Sequence, residues 1–503
     1  MEAWRQYVAF RPPSPTSHAQ HKEVELLKQG EYTYVAFEPS DPANPQNWSL
    51  AYKSWVVFLL AFLTLSLTFA SSASSSANEG MKREFGCGDV VATASTGLFL
   101  VGMGIGAMPF APLSELYGRL PVYLGTIFLA TIFEVACAVA PSAPALLVLR
   151  FIAGLVSSAP LSNAGGTLVD IGNNVSRTLM LPLFTTCGFV GPVMGPIIGG
   201  FLVENEKYGW RWCYWVIAIW NALAFVVVGL FMPETLATGL MKMKATRFRQ
   251  LTGEQGWRAR IEDESLKEAT LRALVRPFKM LLVEPALQFF VLYLLIVYIV
   301  LYGSFSAYPY IFAAHGLSEW QIGLTFLPVL VGFFLLLLGT FAHYRRYTRL
   351  ARDAVAGIER RGIHAGKVEP EERLVPLMSA AILFPAGLFW LAWTSSPDFH
   401  LWIPMMAGVP FGIGLLAIFQ GSMQYMIDAY GPFASSALAG STLIRYGVTG
   451  LVILAFPRLY GDLGSEWATS IFAMLGALLT PVPFVFYIYG RRLRSRCQFT
   501  VRE

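Results

Sequence analysis

One pattern recurs along this chain twelve times: about twenty apolar residues with few charges, then a polar connection. A helix needs about 20 such residues to cross ~30 Å of hydrocarbon. Inside hydrocarbon the backbone N–H and C=O groups must be satisfied within the segment, so long apolar runs of this kind cross as α-helices. The runs lie near 54–75, 91–112, 120–140, 144–167, 180–203 and 212–232, then near 286–313, 320–342, 375–394, 402–427, 436–457 and 467–489. The order is six, a polar break, then six. This predicts an all-α membrane protein whose twelve transmembrane helices form two pseudo-symmetric six-helix bundles. The expected divisions are a tail over 1–53, a first bundle over 54–232, a linker over 233–285, a second bundle over 286–489 and a tail over 490–503.

Composition excludes several classes. Charged residues make up 14% of the chain and hydrophobic residues 55%, against roughly 25% charged in globular proteins. A net charge of +5 does not suggest a nucleic-acid binder. The first fifty or so residues hold no signal-peptide core, and the first apolar run is too long for one, so it reads as a retained helix. Cys87, Cys137, Cys187, Cys213 and Cys497 have neither metal-ligand spacing nor disulfide-scaffold density and read as buried or lipid-facing thiols. No metal site, cofactor motif, catalytic triad or phosphate-binding loop stands out, so the chain reads as no enzyme.

Orientation follows the basic residues. Thirty Lys and Arg fall on the face that holds both termini and the linker, and five on the other. Arg150 and Arg445 lie inside spans. The bias puts the termini in the cytoplasm. It also argues that Asn47-Trp48-Ser49 and Asn174-Val175-Ser176, which match the glycosylation pattern, go unused. The linker's interleaved acids and bases suit a solvated helical segment.

Three motifs stand out. After span 2 the chain reads Glu115-Leu116-Tyr117-Gly118-Arg119, with a glycine where a tight turn needs freedom from Cβ strain. Span 4 carries Arg150, Asn163 and a terminal Asp170, and Asp428 ends span 10 in an echo of the first half. A charge inside a span costs about 2.5–3.5 kcal/mol on insertion scales and is seldom idle. Span 5 reads Gly188-Phe189-Val190-Gly191-Pro192-Val193-Met194-Gly195-Pro196-Ile197-Ile198-Gly199-Gly200. Its glycines at 191, 195 and 199 share a face for close helix approach, and its prolines remove amide donors.

With these motifs the sequence resembles the major facilitator superfamily. The resemblance implies a conformational latch at Glu115, Gly118 and Arg119, with Asp170 and Asp428 as helix-end partners. Leu116 and Leu120 depart from the family's basic residues, which implies a weaker latch. Span 5 looks like the signature of the superfamily's drug–proton exchangers and implies export. The leader Asp41–Ser49, Pro233-Glu234-Thr235 and Glu284-Pro285 are similar to the fungal twelve-spanner drug:proton antiporter group, whose members export polyamines, azoles and toxins.

Candidate coupling residues are Arg150, Glu134 and Arg445. Burial raises a carboxyl pKa, so Glu134 reads either as a proton carrier or as a group reaching the outer headgroups. Arg150 reads as a coupling residue facing the interior or as a snorkelling one. The resemblance places spans 1, 4, 7 and 10 around the cavity, where Tyr298 and Tyr302 share a face and Asn163 and Gln424 add polar contacts. Interfacial anchoring or plain packing is an equal reading for each. The leading functional reading is proton-coupled export of drugs or secondary metabolites by a monomer in the plasma membrane or an internal one, with small molecules, protons and lipid as partners. A dedicated exporter of one endogenous compound such as an organic acid, with Arg150 and Arg445 as anion contacts, is the second reading. A non-transporting receptor or scaffold is the third.

Overall fold

The computed structural model describes residues 2–9, 28–29, 32–37, 41–205, 207–254, 256–259, 266–359, 361–364, 366–495 and 497–500. Arg11, Lys22, Arg260, Arg360, Arg496 and Arg502, counted in the charge bias, lie outside them.

The first six spans are Leu50–Ala73, Asp89–Tyr117, Arg119–Ala138, Ala143–Ile171, Asn174–Glu204 and Trp212–Phe231. Ser49 caps span 1 by accepting from the Tyr52 amide, and Asn173 caps span 5 by accepting from Ser176, satisfying amides that a helix start leaves open. Span 4 is two helices that meet at Ser158. Spans 7 to 10 run over Pro285–Ala313, Glu319–Val355, Pro370–Trp393 and Trp402–Tyr430.

The last apolar stretch, Ala434–Arg494, has 61 residues. As one helix it would be about 90 Å long, three times the hydrocarbon thickness. Gly464 breaks it with φ 74° and ψ 166°, a conformation open to glycine. The stretch is therefore spans 11 and 12, and eleven candidate segments resolve into twelve crossings. An even number of crossings returns both termini to one face, here called the near face.

Spans 1 to 6 form one bundle and spans 7 to 12 the other. Burial separates central from peripheral helices: 83% of the apolar stretch is buried in span 1 and 72% in span 7, against 33% in span 6. Phe128, Ile219, Leu223 and Leu478 stand exposed on peripheral helices, as side chains facing lipid would. Between the bundles span 2 packs on span 11, and span 5 on span 8. Gly97 and Gly450 set the first approach, since a Cβ on Gly97 would lie 2.5 Å from the Gly450 carbonyl. On the far face Arg211 donates to Glu84 at 2.6 Å and to the Ala138 and Ala140 carbonyls. The Arg211 guanidinium holds the Glu84 carboxyl below its ordinary range.

The linker differs from the solvated helix expected of it. Its helices Ala237–Thr252 and Leu266–Val283 pack rather than float. The first forms a small core with Val35 of the tail, in which Leu240, Phe248 and Trp257 meet. The tail strand Tyr32–Tyr34 pairs in parallel with Trp257–Arg258, and Lys244 meets Asp41 at 3.0 Å. Apolar residues two helical turns apart give this charged segment a face to bury. The second helix packs on spans 2 and 11 and so braces both bundles.

The span 5 glycines face span 1. A Cβ on Gly191 would lie 2.8 Å from the Leu65 carbonyl, and one on Gly195 2.7 Å from the Ala73 amide. Gly200 instead meets Glu319 of the other bundle. A Cβ on Gly188 would meet Thr64 at an ordinary 3.5 Å. Overpacking costs about 1–3 kcal/mol, so Gly191→Leu should lower the melting temperature of the detergent-solubilised protein, while Gly188→Ala should melt within a degree or two of wild type. Equal shifts in a thermal melt would contradict this packing.

Candidate functional site

The halves meet around a central cavity. Thr64 of span 1, Leu161 of span 4, Phe189 of span 5, Tyr298 of span 7, Phe419 of span 10 and Arg445 of span 11 reach its wall. Span 5 enters because Gly188 exposes helix backbone there, flanked by Phe184 and Phe189. Phe189 packs edge-on against Phe419 at 4.6 Å and against Tyr298 at 5.6 Å. Tyr298 and Arg445 were legible in the sequence. The aromatic residues of spans 5 and 10 were not, because among so many apolar residues nothing marks the ones that face inward.

Contacts between the halves flank the cavity at both ends. At the near end Asp428 accepts from Arg373 at 2.7 Å and meets Arg177 of the first bundle at 3.5 Å. Arg373, at the start of span 9, reaches across the halves to the Asn174 carbonyl at 2.7 Å and to the Thr178 hydroxyl. Its guanidinium stacks 3.8 Å from the Tyr347 ring. Gln424 accepts from Arg373 at 3.3 Å and so belongs to this gate rather than to the cavity wall. At the far end the Ser71 and Tyr302 hydroxyls share a 2.8 Å hydrogen bond between spans 1 and 7. The Trp320 amide donates to Glu204 at 3.1 Å between spans 8 and 5.

The loop after span 2 forms a matching assembly inside the first bundle. Gly118 takes φ 101°, which side chains rarely adopt. Arg119 donates to Asp170 at 3.2 Å and to Ser114 at 2.6 Å. Glu115 is half-buried and makes no ion pair among the described residues. Glu234 does what the sequence reading missed: its carboxylate accepts from the Arg119, Leu120, Thr235 and Leu236 amides at 2.9–3.1 Å. Span 3 has no side-chain cap of its own, and an acidic residue at a helix start is favourable. In the second bundle the counterpart of Arg119 is Arg373. Arg346, near the end of span 8, pairs with Glu372 instead.

Arg150 and Glu134 form a fully buried ion pair at 3.0 Å. The remaining Arg150 donors reach the Ser95 and Ala70 carbonyls and the Ser74 hydroxyl, and Phe99 lies 4.1 Å from the guanidinium. Neither side chain reaches a headgroup region. Asn163 donates to the Phe110 carbonyl of span 2 at 3.2 Å and is absent from the cavity wall. The described residues hold no cluster able to bind a metal ion.

Two bundles, a shared central cavity, an ion-paired near end and a hydrogen-bonded far end are the parts of a membrane transporter, and the sequence comparison decides its family. The model of the Major Facilitator Superfamily matches residues 58–441. The chain belongs to this superfamily. It is 38% identical to the uncharacterized transporter mfs2 of Schizosaccharomyces pombe over 93% of this chain and 84% of the relative. It is 35% identical to the MFS-type transporter kojT of Aspergillus flavus over 92% and 82%, and 37% identical to the MFS-type efflux pump MFS2 of Trichophyton rubrum over 92% and 77%. The proton:xylose symporter XylE, solved with 6-bromo-6-deoxy-D-glucose, superposes with a TM-score of 0.60 at 13% identity, covering 88% of this chain and 96% of that one. That likeness shows the fold alone. This superfamily member is a membrane transporter, not an enzyme, with fungal relatives.

Removing one partner of a buried pair costs about 3–5 kcal/mol, whereas an apolar pair of similar volume is often neutral. Glu134→Ala should therefore lower the melting temperature sharply, and Glu134→Leu with Arg150→Met should recover most of the loss. A double variant as unstable as the single would contradict this account. At the near gate, Asp428→Asn should raise maleimide labelling of Met423→Cys from the near face several-fold over the Met423→Cys parent. Unchanged labelling would show that the Asp428 pairs do not hold the gate shut.

Proposed function

We propose that this transporter exports drugs or secondary metabolites by proton antiport, through alternating access of the central cavity. The observation that carries the reading is a central cavity flanked at both ends by contacts between the halves. Either set can break while the other holds: Asp428 with Arg177 and Arg373 at the near end, Ser71 with Tyr302 and Glu204 with Trp320 at the far end. The efflux-pump relative of Trichophyton rubrum and the glycine–proline signature of span 5 support the outward direction. The bias of basic residues supports cytoplasmic termini and hence a cytoplasmic near face. A plasma-membrane location and a monomeric state complete the proposal.

Glu134 and Arg150 are the proposed coupling pair. A carboxylate held by an arginine away from water can take a proton when a conformational change loosens the pair. Each proton moving inward releases about 2.3 kcal/mol per 100 mV of inside-negative potential, apart from the pH term. Glu115, Gly118, Arg119 and Asp170 act as the latch of the first half, and Tyr298 and Phe419 as cavity contacts.

Proteoliposomes with an imposed proton gradient test the reading. Wild type should move solutes from a broad panel against their gradients, and a protonophore should abolish the movement. Glu134→Gln should cut gradient-driven transport at least tenfold while exchange down a solute gradient persists. Transport indifferent to the proton gradient in wild type would rule out antiport.

A further inference from the structure

Among the described residues five arginines are nine-tenths or more buried. Four meet a carboxylate: Arg119 with Asp170, Arg150 with Glu134, Arg373 with Asp428 and Arg494 with Glu371. Arg445 does not. It is 1% exposed, and its Nε and Nη1 meet no acceptor among the described residues. Its Nη2 reaches Thr442, one turn back on the same helix, at a long 3.3 Å. What surrounds the guanidinium is aromatic: the rings of Tyr298, Phe419 and Tyr446 lie 4.5, 5.0 and 5.2 Å from it. Aromatic faces hold a guanidinium by cation–π attraction and consume none of its N–H donors.

This side chain lines the central cavity, where it is the single ionisable Asp, Glu, Lys, Arg or His among the fourteen wall residues. Around it stand Phe184, Phe189, Phe419, Met423 and Leu438. A guanidinium stays charged at any physiological pH and presents a planar fork of donors suited to a carboxylate. A cation entering this low-dielectric cavity would meet a like charge. A neutral solute would leave the charge without a counter-ion.

We propose that Arg445 binds the anionic group of the cargo, and that the transporter carries small organic monoanions, carboxylates above all, whose apolar bodies rest against the aromatic wall. The proposal deepens the exporter reading and rests on it. The apolar wall and one forked cation favour an organic anion over chloride, which would gain nothing from the wall.

The test uses proteoliposomes of the full-length protein and three matched sets: benzoate, benzamide and benzylamine, then the naphthyl and cinnamyl equivalents, with chloride as a further solute. Wild type should move the carboxylates at least tenfold faster than the amides or ammonium compounds. Arg445→Gln should erase that preference, and Arg445→Lys should keep part of it. Should a variant fail to fold, wild type alone decides: 1-naphthoate should raise its melting temperature and 1-naphthamide should not. Amides or amines moving as fast as the carboxylates, chloride alone moving, or equal melting shifts would overturn the anion assignment and leave the exporter reading standing. Wild type that moves no solute of any charge would overturn both.

Discussion

A charge placed in hydrocarbon must find its opposite or an aromatic shell, and most of this structure is arranged around that requirement. Arg150 shows it most completely: one carboxylate, two carbonyls, one hydroxyl and an aromatic face surround it. Those partners come from spans 1, 2 and 3, so satisfying one side chain on span 4 fixes four helices against one another. The arrangement is a structural clamp and a charge store at once.

The same chemistry at the near face has a different consequence. There the pairs are shared across the halves instead of closed within one. Asp428 serves an arginine of its own half and one of the other, so a half can move away and leave Asp428 with Arg373. The pair that stays keeps the charge neutral, which makes parting of the halves affordable. Arg119 and Asp170 hold the equivalent place in the first half. The two-fold echo therefore extends from helix count to the wiring of charges, since Arg119 stands at the start of span 3 and Arg373 at the start of span 9.

Hydrophobic run lengths made the fold legible, because a span is decided by some twenty residues together and no single one can disguise it. The break between spans 11 and 12 was legible too, since Arg458, Asp462 and Glu466 interrupt the apolar run around Gly464. The site was legible where a residue was anomalous for its setting: Arg150, Glu134 and Arg445 announce themselves as charges among apolar neighbours. Glu234 and Arg373 did not, since acids and bases are ordinary in connections and their work depends on partners 50 to 200 positions distant, such as Asn174 and Asp428. Asn163 and Gln424 had the right chemistry on the right spans but turn to Phe110 and Arg373. Helix rotation decides that, and periodicity is a weak guide to rotation when most faces are apolar.

The parallel pairing of Tyr32–Tyr34 with Trp257–Arg258 fixes an order of events during synthesis. The tail strand leaves the ribosome first, yet its partner is made only after all six helices of the first bundle. At about 5–20 residues per second the strand waits some tens of seconds. The cost of closing so long a loop grows only slowly with its length, so the delay is kinetic more than thermodynamic. A tail docked in this way finds its place on the linker only once the last helix of the first bundle has been delivered.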